Sequence, residues 1–273
     1  MSHNTWPFIG SLGRLVEVPF TASENVSRAD RYVESLTVEG RRRVQVRPAA
    51  PRSWSVDVRG ATGTELSGLE SFVSGAWGHG PWHWVSVRAQ RGNLLTPTEA
   101  DLTGVAYNAR WSLGGPMRRE SGDWSGQSLA VSVPSGSHTV VDGIPVLPGR
   151  AVTYGADVQA SNPSVAPRLL VQWRDAAGGF IAQEFVDGRV SGAVQRVSMT
   201  RTPPTLAASA RLLLGPTISR YTAPQVTWTE REMPYSAGHG CRSAVVDGLS
   251  EELLVAAAHG VHSNISFTVL EVS

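Results

Sequence analysis

Along most of the chain, apolar positions recur at every second residue rather than every third or fourth. Trp54-Ser55-Val56-Asp57-Val58-Arg59 alternates strictly, and Val44-Gln45-Val46-Arg47 does so over a shorter run. A period of two sends successive side chains to opposite faces, so each run predicts a strand buried on one side. Trp82-His83-Trp84-Val85-Ser86-Val87 is another, heavy in aromatics. Further strands are expected over 129–133, 151–158, 169–173, 195–200, 208–214, 225–229 and 265–272. In the middle of the chain, turn residues separate them at intervals of roughly ten, the spacing of an antiparallel sandwich. Asp175-Ala176-Ala177-Gly178-Gly179 reads as a hairpin turn between Trp173 and Phe180.

Helical signals are few. One helix is expected in the first hundred residues, with Thr64 as its cap and Glu65 at its positive end. Leu66, Leu69 and Phe72 or Val73 share one face, and Gly75 would stop it. Over Ser250–Ala258, ahead of Gly260, helix and strand compete. No helix is expected between Val105 and Thr229. Asn93–Gly104, with Thr96, Pro97 and Thr98, reads as a linker. The texture changes after it and returns after Met233. That pattern predicts a discontinuous first domain, 1–104 and 233–273, with a second domain inserted over 105–232.

The chain has 273 residues, enough for two domains with sizeable cores. Its net charge of +1 gives no strong field toward nucleic acid or membrane. All 24 basic residues are Arg. The absence of Lys excludes a GxxxxGK[ST] phosphate loop, a Schiff-base lysine and a Ser-Lys pair. Ala, Gly, Arg, Val and Pro are plentiful, so a GC-rich coding bias accounts for the missing Lys. The single cysteine, Cys241, permits no intrachain disulfide and no cysteine-based metal site. Met1–Phe20 lacks the basic start and apolar run of a signal peptide, and apolar runs such as Leu253–Ala258 are too short to span a bilayer. A soluble protein folded in a reducing compartment is expected.

Candidate catalytic groups are weak. Cys241 follows His239-Gly240, but neighbours along a strand point apart, so a structural thiol is expected. His79 and His83 are four apart with Gly80-Pro81 between them, which breaks the helix that would align them on a metal. Asp157, Asp175, Glu184 and Asp187 are candidate carboxylates for glycoside hydrolysis. Asp175 and Asp187 stand beside glycines, where Asp is ordinary turn chemistry. Arg41-Arg42-Arg43 fits a solvated turn or an inter-subunit ion pair better than a nucleic-acid contact. There is no GxSxG elbow and no HExxH.

Two stretches resemble known families. Over about 105–230 the order is Val146-Leu147-Pro148-Gly149 with Thr153-Tyr154, Leu169-Leu170-Val171-Gln172-Trp173 with Asp175 and Gly178, and Gln195-Arg196-Val197-Ser198. Thr202-Pro203-Pro204, Ala210-Arg211-Leu212-Leu213-Leu214 and Ala223-Pro224-Gln225-Val226 follow. This resembles a carbohydrate-binding module of the galactose-binding jelly-roll type. The flanks carry Gly13-Arg14-Leu15-Val16-Glu17-Val18-Pro19, Arg52-Ser53-Trp54-Ser55-Val56, Glu65 with Leu69 and Phe72, and Gly80-Pro81-Trp82-His83-Trp84-Val85. Asn93-Leu94-Leu95-Thr96 and Ser266-Phe267-Thr268-Val269-Leu270-Glu271-Val272 complete them. These resemble distal-tail-like minor tail proteins of siphophages that infect actinobacteria.

The resemblances imply a mainly β chain: a β-sandwich tail domain with one short helix, plus a jelly-roll β-sandwich. They imply a structural, non-enzymatic virion protein made in the host cytoplasm. It would form a threefold or sixfold ring with itself and meet the tail tube, tail tip and tape measure. The outward jelly roll would bind host surface glycan during adsorption. Nine tryptophans are a high share of the aromatic positions. Flat aromatic rings stack on sugar C–H faces, and Trp111, Trp124, Tyr154 and Trp173 lie in the sugar-module-like region as candidates. Trp173 also shares a strand face with Leu169 and Val171, which suits a core residue equally. No cofactor, metal, membrane or specific nucleic acid is expected. The rival readings are a monomeric lectin-like module and a carbohydrate-active accessory protein, the second needing two carboxylates in one cleft.

Overall fold

The computed structural model describes residues 6–19, 21–28, 32–46, 51–78, 80–103, 118–124, 127–257 and 260–272. The chain is mainly β. It begins with β1 (Phe8–Ser11), β2 (Arg14–Glu17), β3 (Thr21–Arg28), β4 (Tyr32–Leu36), β5 (Arg42–Val46), β6 (Arg52–Thr62), helix α1 (Gly63–Val73) and β7 (Trp82–Val85). Two short helices follow, α2 (Val87–Arg91) and α3 (Pro97–Ala100). Then come β8 (Arg118–Trp124), β9 (Gln127–Ser132), β10 (His138–Pro145), β11 (Val152–Ala160), β12 (Arg168–Arg174) and β13 (Phe180–Asp187). The remaining strands are β14 (Gln195–Arg201), β15 (Ser209–Leu214), β16 (Ile218–Thr227), β17 (Cys241–Ala257) and β18 (Gly260–Glu271).

The chain divides into two compact units, Met1–Ser11 with Val16–Ser86 and Cys241–Ser273, and Leu12–Leu15 with Val87–Gly240. The exchange points at 86/87 and 240/241 lie outside the 104/105 and 232/233 boundaries that texture suggests. The reason is Asn93, which is fully buried in the second unit. Its amide nitrogen donates to Pro224 O and Ser236 O, each at 3.1 Å. Its Oδ1 accepts from Leu95 N at 3.2 Å and Val226 N at 3.1 Å. A buried amide with all four bonds made fixes the backbone around it. The stretch expected to be a linker is therefore structured, and it includes α3.

The first unit is a curled sheet in the order β2-β1-β7-β17-β18-β6-β3. Strand β6 shows why alternation reads so cleanly: Trp54, Val56 and Val58 are buried while Ser55, Asp57 and Arg59 are exposed. The buried face meets α1, which packs on β6, β17 and β18. Leu69 and Phe72 are the buried residues of α1, and Phe72 meets Trp77 and Trp82 edge-on at 4.8 and 5.3 Å. The helix cap is Thr62, not Thr64. Thr62 and Glu65 form a capping box, satisfying amides at both positions. The segment 250–257, undecided between helix and strand, belongs to β17, paired along its length with β18. Strands β4 and β5 form a separate hairpin sheet carrying exposed Leu36, Val38 and Val44.

The second unit is a β-sandwich of the jelly-roll kind. One sheet runs β10-β15-β12-β13 and the other β14-β11-β16-β9-β8. Leu169, Val171 and Trp173 from β12 and Val152, Tyr154, Ala156 and Val158 from β11 are all buried. The Asp175–Gly179 turn joins β12 to β13, with Asp175 Oδ1 accepting from Ala177 N at 2.9 Å and Gly179 N at 2.7 Å. Among the described residues no helix lies between β8 and β16, and none is long and apolar enough to cross a membrane.

Two outcomes follow from the first unit. Replacing Thr62 with Ala removes the capping box and costs about 1 kcal/mol in chemical denaturation. Burial, aided by the nearby Arg242 charge, lowers the His83 pKa to about 4. The folded protein thus refuses a proton that the unfolded chain accepts below about 6.5. Stability should fall as pH drops from about 6.5 toward 4, by at most about 3 kcal/mol from this group. Unfolding curves of wild type and His83→Gln at pH 7 and 4.5 measure it, and the variant should show the smaller loss.

Candidate functional site

The two aromatics proposed from sequence that the structure describes are core residues. Tyr154 and Trp173 are each 1% exposed, leaving no ring face for a sugar. Burial pushes the Tyr154 hydroxyl pKa upward, and the hydroxyl has no hydrogen-bond partner among the described residues. Trp173 packs inward because both of its cross-strand neighbours, Ala182 and Ala210, are small. Its indole N–H donates to Glu184 Oε1 at 2.8 Å. Trp111 lies outside the described residues. Trp124 ends β8 opposite Gln127 at the rim of the five-stranded sheet, and its side chain also lies outside them.

The four candidate carboxylates have separate partners. Asp157 Oδ1 accepts from Arg196 at 3.4 Å, and Glu184 Oε2 pairs with Arg201 at 2.8 Å. Asp187 accepts two bonds from Arg168, at 2.6 and 2.9 Å, and the bonding holds its carboxyl below the usual range. Asp175 serves its own turn. Cys241 is buried, and desolvation together with the Glu271 charge pushes its thiol up to about 12, which disfavours the thiolate. His79 lies outside the described residues, and among those described no His, Cys, Asp and Glu cluster could hold a metal.

The two outer faces of the sandwich differ in kind. On the five-stranded sheet, the register sets Gly155 between Ser198 and Gln225, and Asp157 between Arg196 and Thr222. This face is polar but largely occupied by the chain itself. Arg196 donates to Glu232 at 2.5 Å, to Ala223 O at 2.7 Å and to Gln225 at 3.1 Å. Ser198 donates to Glu232 at 2.7 Å. Gln225 in turn donates to Gly92 O at 2.8 Å and Pro234 O at 2.9 Å. Gly155 leaves room for this clasp: a Cβ there would lie 2.9 Å from both Arg196 Nη2 and Glu232 Oε1. Burial raises the Asp157 pKa; the Arg196 charge and hydrogen bond oppose this, while the Glu232 charge adds to it.

The four-stranded sheet presents an open face. Leu170 stands between Phe185 and Leu213, Gln172 between Gln183 and Arg211, and Arg174 between Phe180 and Ser209. A register shift after Trp173 inserts one extra residue in β13, which brings Phe180 to the same face as Phe185. Phe180 is 62% and Phe185 49% exposed. Their partners on β12 are four positions apart, a spacing of roughly 13 Å along the strand. Between them Gln172 Nε2 donates to Gln183 Oε1 at 2.9 Å. The Arg168 guanidinium lies 4.1 Å over the Phe185 ring, and Asp142 accepts from Arg211 Nε at 2.8 Å. Burial works to raise the Asp142 pKa, but the bond and charge of Arg211, with smaller help from Gly143 N–H and Arg174, hold it low. Two aromatic platforms with planar hydrogen-bonding groups between them match a chain of sugar rings, which presents apolar C–H faces edged by hydroxyls.

Sequence reasoning passed over these residues. The alternation Gln183, Phe185, Asp187 along β13 was a usable signal. The bulge that reorients Phe180 was not.

No family model matches the chain, and no curated protein matches it. Solved structures align with part of it. A tailspike protein 4 domain from bacteriophage CBA120 is 12% identical over 50% of this chain and 22% of that one, with a TM-score of 0.34. A family 16 carbohydrate-binding module is 14% identical over 47% of this chain and 99% of that one, TM-score 0.33. A carbohydrate-binding module of the β-sandwich superfamily is 11% identical over 82% and 92%, TM-score 0.32.

A Gly155→Val variant should lose about 1–3 kcal/mol, because its side chain must displace Arg196 or Glu232. Phe180→Ala and Phe185→Ala, both on the open face, should each change stability by less than about 1 kcal/mol. Urea titration of the three variants measures the contrast.

Proposed function

We propose that the second unit binds a glycan along the outer face of the β10-β15-β12-β13 sheet. We propose further that the chain is a structural minor tail protein of a phage, binding rather than catalytic, with this unit engaging the host surface. The observation that carries the glycan reading is the row Phe185, Gln183–Gln172, Phe180–Arg174. Single sugar contacts are modest, so useful affinity would come from several copies held together. The tail reading draws on the sequence resemblance of the flanks. It is supported in the first unit by the β4–β5 hairpin, whose exposed Leu36, Val38 and Val44 are suited to burial against another subunit.

A glycan-binding screen with the full chain tests the first part. Retention on at least one polysaccharide is expected, weakened about tenfold in Phe180→Ala and Phe185→Ala. Loss of neither interaction in the two variants, or no retention on any glycan, would overturn it. Native mass spectrometry over a concentration series tests the second part. A threefold or sixfold species supports assembly. A monomer at every concentration shifts the reading to a lectin-like module.

A further inference from the structure

The open face carries three arginines, and they are not equivalent. Arg168 is held in two bonds by Asp187, and Arg211 is held by Asp142. Among the described residues Arg174 forms no ion pair; Asp142, which is bonded to Arg211, acts on it only through its charge. Arg174 Nη1 donates to Gly178 O at 2.7 Å and its Nη2 reaches Gln172 Oε1 at 3.5 Å. Both acceptors are neutral, so they orient the guanidinium without discharging it. The neighbouring Asp175 is turned into its own hairpin, where it accepts from Ala177 N and Gly179 N. The face therefore bears one partly buried cation that forms no ion pair of its own among the described residues. It stands directly across the strand pair from Phe180, the more exposed of the two rings.

Resting on the glycan reading above, we propose that this face selects an anionic glycan, with Arg174 receiving the anionic group of the sugar that stacks near Phe180. A guanidinium presents planar paired donors that fit a carboxylate or a phosphate. Fixing it in advance through Gly178 and Gln172 lowers the ordering cost on binding. The anion is a uronate carboxylate or a phosphodiester of a sugar-bearing polymer, two sources of the same chemistry. Neutral glycans could use the rings and amides but would leave the Arg174 charge unanswered.

Titration calorimetry on the full chain would compare polygalacturonate, a glycosylated poly(glycerol phosphate) and a neutral xylan. Tighter binding of one or both anionic polymers is expected, and which one identifies the anion. Arg174→Gln should weaken anionic binding about tenfold and leave xylan binding unchanged, with an unaltered melting curve. Raising salt should weaken wild-type binding to the anionic polymers and have little effect in the variant. Equal affinity for xylan and the anionic polymers, or no effect of Arg174→Gln, would overturn this inference and leave the glycan reading standing. No binding to any of the three, together with an empty broader glycan screen, would overturn both.

Discussion

The inward commitment of Trp173 sets the rest of the second unit. The indole is the largest side chain on its strand, and it fits because Ala182 and Ala210 flank it. Its N–H is satisfied by Glu184, itself paired with Arg201, so burial leaves no orphan donor. A strand has a side-chain period of two, so fixing one residue inward fixes its neighbours outward. Leu170, Gln172 and Arg174 must then face away from the core. Through the β12–β13 register they line up with Phe185, Gln183 and Phe180. Trp173, one of four candidate sugar platforms, is instead the core anchor that sets the outward row beside it.

The opposite face of the sandwich shows what happens when polar groups find partners within the chain. Arg196, Ser198, Gln225 and Glu232 satisfy one another and the backbone of residues 92, 223 and 234. Leaving any of these groups buried without a partner would be costly, so segments on either side of the sandwich strands are drawn onto the sheet. Asn93 makes the same point with a single side chain. On the four-stranded face the pairing is incomplete: among the described residues Arg174 is bonded only to neutral acceptors and forms no ion pair.

The first unit has a different problem. A single curled sheet buries one face and needs a cover. Trp54 and Trp84, with ring centroids 6.5 Å apart, supply much of the core, and the side chains of α1 close over it. Arg52, nearly fully buried, is paired with Glu271 at 2.8 Å and stacks 5.0 Å over the Trp54 ring. A pair this buried costs much to break because one charge would remain stranded. It ties β6 to the last residue of β18, 219 positions on, and so joins the two ends of this discontinuous unit.

By itself the sequence determined strands such as β6, β11, β12, β14, β15 and β18, the β12–β13 turn and the presence of α1, because alternation and turn chemistry are local signals. It passed over β1, β2, β3, β4, β8 and β10 and the short helices α2 and α3. It also limited the chemistry: without Lys and with one cysteine, several catalytic and metal-binding classes were already closed. It did not determine the helix cap, where Thr62 and Thr64 compete within one turn and only backbone geometry selects between them. Nor did it separate helix from strand over 250–257, where pairing with β18 overrides local preference. The face that each aromatic occupies was the largest matter left to tertiary structure. Trp173 could have faced either way until Ala182 and Ala210 came alongside it. Phe180 acquired its outward face only through a one-residue shift in register. Long-range pairing decides both, and no local stretch of sequence contains it.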